Sequence, residues 1–318
     1  MSCRVFITRK IDPSGVDYLK SRGYDVYFAS VPIPDEDTIA REAADCDSML
    51  VRNDRITRKI MDACPRLRVI GRHGVGVDTI DLNCAKEKGI RVTNTPLANY
   101  NAVAEHTIHM ILSLARHARE TEQAFYGGDF DVRSRITNTE LAGKALAVIG
   151  CGRIGRSVAK KAALGLDMNV TVYDPDIAPG DKGEGITAAG TAQDAVRGAD
   201  FVTLHLPLTD ATRGMVDGAF IAGMKDGAYL INAARGGIVD EGAAAEALRS
   251  GKLAGAAFDV LEDEPPRRDD PLFAFPNVIL TPHNAAHTAE AFRKMSLHAA
   301  MGIDEVLSGK PVSWEVII

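Results

Sequence analysis

Apolar runs of strand length and amphipathic stretches of helical period alternate along nearly the whole chain. In the first third the pattern predicts strands at 5–8, 24–28, 48–51, 67–70 and 91–93. Helices are predicted at 13–22, 35–44, 57–63 and 81–88, with Gly23 and Gly89 closing two of them. Five short strands separated by helices describe a parallel α/β unit of about a hundred residues. No glycine-rich loop opens its first helix, so this unit is not itself a nucleotide binder.

The pattern then changes. Residues 99–125 read as one long helix whose apolar positions, Val103, Ile108, Ile111, Leu112 and Leu114, spread over more than one face. Such a helix is expected to be buried on several sides, crossing between domains or packing on a second subunit as a homodimer interface. His106, His109 and His117 on it have no acid or cysteine placed with them and read as packing or surface residues, not metal ligands. The polar stretch 127–140 reads as a surface excursion. Strands follow at 145–149, 170–173, 201–204, 228–232, 254–260 and 278–280, with helices between them at 192–197, 220–224 and 241–250. The last helix, 288–307, has no strand after it and is expected to return to the first unit. Residues 99–287 then form a domain inserted into one built from 1–98 and 288–318, both of them α/β with parallel sheets.

The strand 145–149 ends in Gly150, Cys151, Gly152, Arg153, Ile154 and Gly155, a G-x-G-x-x-G turn opening a helix. Gly150 permits the tight turn, Gly152 lets the backbone approach a pyrophosphate, and Gly155 lets the helix pack closely on the sheet. The helix N-terminus offers unpaired N–H groups to the phosphates. Asp174, closing the next strand, is spaced to accept the 2′-OH of an adenosine ribose. It would repel a 2′-phosphate, and Pro175-Asp176-Ile177 supplies no arginine to receive one, so the cofactor is expected to be NAD.

Composition narrows the class. With 46% hydrophobic and 25% charged residues the chain can bury a large core. A net charge of −6 gives no basic field for nucleic acid. No run approaches the roughly 18 apolar residues of a membrane span, and the N-terminus runs straight into a strand, so a cytoplasmic protein is expected. Cys3, Cys46, Cys64, Cys84 and Cys151 lack C-x-x-C spacing and read as reduced, buried thiols without a metal. Cys151 reads as a small residue filling the glycine turn, against a redox-sensing role.

Open parallel sheets bind ligands beyond their strand C-termini. In the second unit those ends carry His205-Leu206-Pro207 with Thr212 beyond, Ala233-Ala234-Arg235, Asp259 with Glu264, and His283-Asn284-Ala285-Ala286. A hydride transferred by a nicotinamide must be matched by a proton at the substrate oxygen, which suits a histidine such as His283. A carboxylate beside it, Glu264, would hold it charged and oriented, and Arg235 supplies a planar fork for a substrate carboxylate. In the first unit, Gly74 and Gly76 flank Val75 and can expose successive N–H groups as an anion nest. Arg52 and Arg72 either bind a second anionic group or pair with acids such as Asp54 or Asp78. His73 reads as either a surface residue or a ligand contact.

The motifs VIGCGRIGRSVA, HLPLTDATRGMV, INAARGGIVDEGAAAEAL, FDVLEDEPP and LTPHNAA, with GRHGVGVDTIDL and NTPLANYNAVAEHT before them, resemble the D-2-hydroxyacid dehydrogenase family over essentially the whole chain. The resemblance implies a Rossmann NAD-binding domain inserted in a flavodoxin-like substrate domain, with active sites in the interdomain cleft. It implies Arg235, Glu264 and His283 as the catalytic set, Asp259 at the nicotinamide and Asp174 at the adenosine. It also implies cofactor contacts from the strand-end residues named above. Within the family the chain most resembles 3-phosphoglycerate dehydrogenases, which implies a small anionic 2-hydroxy or 2-keto acid as substrate. Departures at His73 and in PHNAAHT leave the substrate open, with glyoxylate and hydroxypyruvate reductases as an alternative. With the sequence as given ending at Ile318, serine feedback through a regulatory domain of the phosphoglycerate dehydrogenase kind is not expected. Corepressors that sense NADH share the fold and the three residues, but no extended tail or basic region supports that reading.

Overall fold

Strands β1 (Arg4–Ile7), β2 (Asp25–Phe28), β3 (Ser48–Val51), β4 (Val69–Arg72) and β5 (Arg91–Thr93) pair in parallel in the order β2-β1-β3-β4-β5. The connections are helices α1 (Pro13–Ser21), α2 (Glu36–Glu42), α3 (Arg58–Ala63) and α4 (Leu82–Glu87). Asp12, Asp35 and Asp81 cap three of them through backbone N–H groups of the first turn. This computed structural model describes residues 2–317, the Asp181 side chain excepted, and they divide into two units, 2–99 with 287–317, and 100–286.

Side chains alternate across the first sheet, as a strand requires. Val5, Ile7, Leu50 and Val69 face α1 and the final helix, whereas Phe6, Met49, Val51 and Ile70 face α2 to α4.

The second unit holds helices α5 (Tyr100–Ala115), α6 (Ala118–Tyr126), α7 (Arg153–Leu166), α8 (Ala192–Val196), α9 (Gly218–Ala222) and α10 (Glu241–Ser250). Its strands are β6 (Ala145–Ile149), β7 (Asn169–Tyr173), β8 (Gly180–Asp181), β9 (Ile186–Ala188), β10 (Phe201–Leu204), β11 (Ala228–Asn232), β12 (Leu253–Phe258) and β13 (Val278–Leu280). They run β13-β12-β11-β10-β6-β7-β9-β8, all parallel except β8 against β9. Outward from β6 this is the doubly wound order of a Rossmann sheet, β9-β7-β6-β10-β11-β12, with β13 added at one end and the short β8 at the other. Apolar side chains of α5 and α7 bury one face and those of α8 to α10 the other.

The last helix, α11 (Ala289–Leu307), lies along α1 and β4. A Cβ on Gly15 of α1 would sit 2.6 Å from the Ser296 carbonyl oxygen, so only glycine lets the two helices approach this closely. Asp304, buried on α11, accepts hydrogen bonds from Tyr18, Tyr24, Arg22 and Lys310, which compensates for the burial of its charge. No helix among the described residues is long and apolar enough to cross a membrane.

Two expectations are corrected. The 99–125 helix is two helices, broken where His117 takes a left-handed backbone at φ 45°. Residues of good helix propensity run on past the break, so the pattern could not reveal it. Most apolar residues of α5 are buried within its own unit, Met110, Ile111 and Leu114 among them, whereas α6 buries none of its residues. The short β8 and β9 pair was not anticipated, because two or three residues carry no readable period.

His73 is neither a surface residue nor placed as a ligand contact. It is 4% exposed, packed edge-on against Phe292, with Nε2 3.0 Å from Ser296 Oγ. Burial, reinforced by the charges of Arg52 and Arg72, lowers its pKa from 6.5 to about 3. The folded state therefore keeps His73 neutral while the unfolded chain takes up a proton below its ordinary value, and stability is lost as pH falls from about 6.5 toward 3. Urea unfolding at pH 7 and pH 5 should show a contribution of about 1.4 kcal/mol per pH unit across that window. His73→Gln should remove that slope, and an equal slope in both proteins would contradict the assignment.

Candidate active site

At β6 the strand order reverses, and the turn after it meets the loop after β10. Gly150 takes φ 90°, and a Cβ there would lie 2.6 Å from the His205 carbonyl oxygen. One on Gly155 would lie 2.0 Å from the Gly150 oxygen, so α7 can start this close to the strand only with glycine there. Around Gly152 the space is open, and α7 begins there without a side-chain cap, leaving its first N–H groups for a ligand. Asp174 Oδ2 accepts the Cys151 N–H at 2.7 Å and Oδ1 the Asp176 N–H at 3.1 Å, fixing the carboxylate against the turn. This geometry fits a pyrophosphate at the helix end and a ribose hydroxyl at Asp174. Arg153 is exposed and Ile154 half-buried beside the opening. Burial pushes the Cys151 thiol up, which suits a filler and not a reactive sulfur.

The other strand ends of this unit share the edge. His205 lies 3.1 Å from Thr203 Oγ1 through Nε2, and desolvation lowers its pKa to about 3. Thr212 closes its own loop by donating to the Pro207 oxygen at 2.6 Å, so its hydroxyl is spent there. After β11, Asn232 accepts from the Ala234 N–H at 3.0 Å and donates to the Arg235 oxygen at 2.9 Å, clamping the turn that follows buried Ala233 and Ala234. Arg235 gives one N–H to Ala234 O at 2.7 Å.

Glu264 and His283, 19 residues apart, meet with Glu264 Oε2 2.8 Å from His283 Nδ1. Both side chains are about one-third exposed, so His283 presents its other nitrogen, Nε2, at an accessible edge. His283 has a left-handed backbone at φ 50°, held where its N–H reaches Asp259 O at 2.7 Å. Asp259 is 2% exposed, and its carboxylate accepts from Thr281 Oγ1 at 2.6 Å and from the N–H groups of Asn284 at 2.9 Å and Ala285 at 3.0 Å. The family resemblance implied Asp259 at the nicotinamide; much of its hydrogen-bonding capacity goes to the loop that carries His283 and ends at half-buried Ala286. Asn232 and Thr281 were also missed as clamps, although a polar residue closing an apolar strand was a readable signal.

In the first unit, the loop after β4 is built to expose amides. The carbonyls of His73 and Gly76 accept from Arg72, that of Gly74 from the Thr95 N–H, and that of Val75 from Asn94 Nδ2. The Val75 and Gly76 N–H groups have no acceptor among the described residues, which leaves a nest for an anion. Arg72, expected either to bind an anion or to pair with an acid, turns its guanidinium onto this loop. Arg72 is 6% exposed, with a further bond to Asn53 Oδ1 at 2.8 Å, and its part is to hold the nest. Arg52 is different: its guanidinium lies over the Phe292 ring, donates to Lys10 O at 3.3 Å and approaches His287 Nε2 at 3.1 Å. The nearby acid, Asp54, is already taken by Arg9 at 2.6 Å and Thr8 at 2.5 Å. Burial, with the charge of Arg9, lowers the Arg52 pKa, a strain that an anion would relieve.

A family model described as "D-isomer specific 2-hydroxyacid dehydrogenase, NAD binding domain" matches residues 108–285. The chain is 42% identical over 310 residues to a D-3-phosphoglycerate dehydrogenase of Methanocaldococcus jannaschii, covering 96% of this chain and 58% of that protein. It is 39% identical to the chloroplastic D-3-phosphoglycerate dehydrogenase 2 of Arabidopsis thaliana, covering 96% of this chain and 49% of that protein. It therefore spans only between 49% and 58% of these relatives. Among solved structures, the D-lactate dehydrogenase of Aquifex aeolicus complexed with NAD and lactic acid matches with TM-score 0.83 and 31% identity over 96% of each chain.

The Arg235 and Glu264 loops interlock at Gly236, where a Cβ would lie 1.9 Å from the Leu261 carbonyl oxygen. Backbone cannot give way as a side chain can, so Gly236→Ala should cost about 1–3 kcal/mol of stability. An unfolding midpoint equal to that of the parent protein would show that the loops do not depend on this contact.

Proposed function

The chain belongs to the D-isomer-specific 2-hydroxyacid dehydrogenase family, and on that premise we propose that it interconverts a small anionic D-2-hydroxy acid and its 2-keto acid with NAD, 3-phosphoglycerate being the substrate its charges suit best. The observation that carries this reading is the 2.8 Å pair of Glu264 and His283 on the sheet edge that also bears Arg235 and the dinucleotide turn. When bound, NADH would supply the hydride for reduction and NAD+ would accept it in oxidation. His283, as imidazolium, gives a proton from Nε2 to the keto oxygen in reduction and takes it back in oxidation, while Glu264 at Nδ1 stabilises the charged ring. Arg235 holds the substrate carboxylate through its planar fork. The amides of Val75 and Gly76 serve as further donors to anionic oxygens. Arg52, whose nearest acid Asp54 is engaged by Arg9 and Thr8, selects a second negative group. Gly150, Gly152 and Gly155 with Arg153 and Ile154 hold the pyrophosphate, and Asp174 the ribose.

A homodimer is part of the proposal. Phe125, Tyr126 and Phe130 are 57%, 85% and 58% exposed on α6 and the turn after it, an aromatic surface that its own unit leaves uncovered. Sedimentation at micromolar concentration should find a dimer that Tyr126→Glu weakens, and a monomeric parent would refute the assignment.

Positioned acid–base groups contribute about 10²–10⁴-fold, so His283→Ala should lower kcat by that order with NAD binding largely kept. Glu264→Gln should lower kcat for keto-acid reduction with NAD binding largely kept, because the His283 ring loses the carboxylate partner at Nδ1 that orients it. An unchanged kcat would count against the pair.

Arg52→Ala should lower kcat/KM on the order of 10- to 100-fold for a phosphorylated substrate, the worth of a charge-assisted hydrogen bond. The loss should be much smaller for lactate-sized acids. Equal losses for both would favour the glyoxylate or hydroxypyruvate class, which carries no second charge.

A further inference from the structure

We propose that His106 is a positioning residue for the proton-transfer loop, acting through the Thr281 and Asp259 clamp that holds His283 in place. His106 projects from α5, outside the strand-end loops of the second unit that carry Arg235, Glu264 and His283. Its Nε2 lies 3.1 Å from Thr281 Oγ1 and 3.6 Å from Asp259 Oδ1, with the side chain 18% exposed.

Donor accounting fixes its part. The Thr281 hydroxyl hydrogen is committed to Asp259 Oδ1 at 2.6 Å, so the Thr281 oxygen can only accept from the histidine. Nε2 of His106 therefore carries a hydrogen and donates, adding a fourth donor to a clamp whose other three belong to residues 281–285. Asp259, from the end of β12, and His109, one turn along α5 at a ring separation of 5.9 Å, are the titratable groups that face it. Burial holds His106 below the usual histidine range, so it is neutral near pH 7, and protonation would keep the same donor. The contact thus does not switch across the working range. It constrains the loop on which His283 must hold a left-handed backbone, a conformation that persists in a non-glycine residue only when its surroundings impose it.

The inference rests on His283 as the proton carrier, and the test separates the two. His106→Leu removes the donor while keeping bulk, whereas His106→Gln can replace it. In the NAD-free protein, hydrogen exchange should show the amides of Asn284 and Ala285 losing protection in His106→Leu and regaining it in His106→Gln. In turnover, kcat for keto-acid reduction should fall on the order of 10-fold in the leucine variant, with KM for NADH within about twofold of the parent. The glutamine variant should recover most of the loss. Unchanged protection in His106→Leu, or equal kcat losses in both variants, would overturn the proposal. Failure of the parent protein to reduce any 2-keto acid would instead overturn the dehydrogenase reading, and the exchange result would still decide whether His106 holds the loop.

Discussion

A carboxylate removed from water must find its hydrogen bonds inside the protein, and Asp259 finds them in the loop after the next strand. Two oxygens, 2% exposed as a residue, gather Thr281, Asn284 and Ala285. Leaving any of these donors unpaired would cost on the order of 1–3 kcal/mol, so the loop has one stable path. His283 is held within that path, its N–H on the Asp259 carbonyl and its ring on Glu264. The placement of a titratable group near an accessible edge thus follows from the burial of another that stays hidden.

The same logic recurs at each strand end. Asn232 clamps the turn bearing Arg235, Asp174 is tied to the glycine turn, and Arg72 pins the carbonyls of the 73–76 loop so that its amides face outward. In every case a polar side chain fixes the backbone, and the groups offered to a ligand are left over. Parallel pairing brings such ends to one edge of each sheet, because the strands that carry them run the same way.

Features with a strict backbone requirement were legible in the sequence. Gly150 and Gly155 stand where a Cβ would strike backbone, and glycine alone satisfies that, so residue type and spacing are enough to reveal the turn. The meeting of Glu264 with His283 followed from counting strands and asking which ends share an edge. What escaped were features set by burial. An arginine after a strand looks the same whether it reaches for a ligand, as Arg52 can, or turns inward on carbonyls, as Arg72 does. His73 and His117 escaped for related reasons, one hidden under α11 and the other breaking a helix with a left-handed turn that its residue type does not announce.

Fate of the hydride tests the account most directly. NADH deuterated separately at each of the two C4 positions, supplied with small 2-keto acids including a phosphorylated one, should deliver deuterium to C2 of the product from one C4 position alone. Chiral chromatography should show that product to be the D-hydroxy acid. No deuterium in the product from either form, or a product of L configuration, would contradict the assignment of this sheet edge to D-specific hydride and proton transfer.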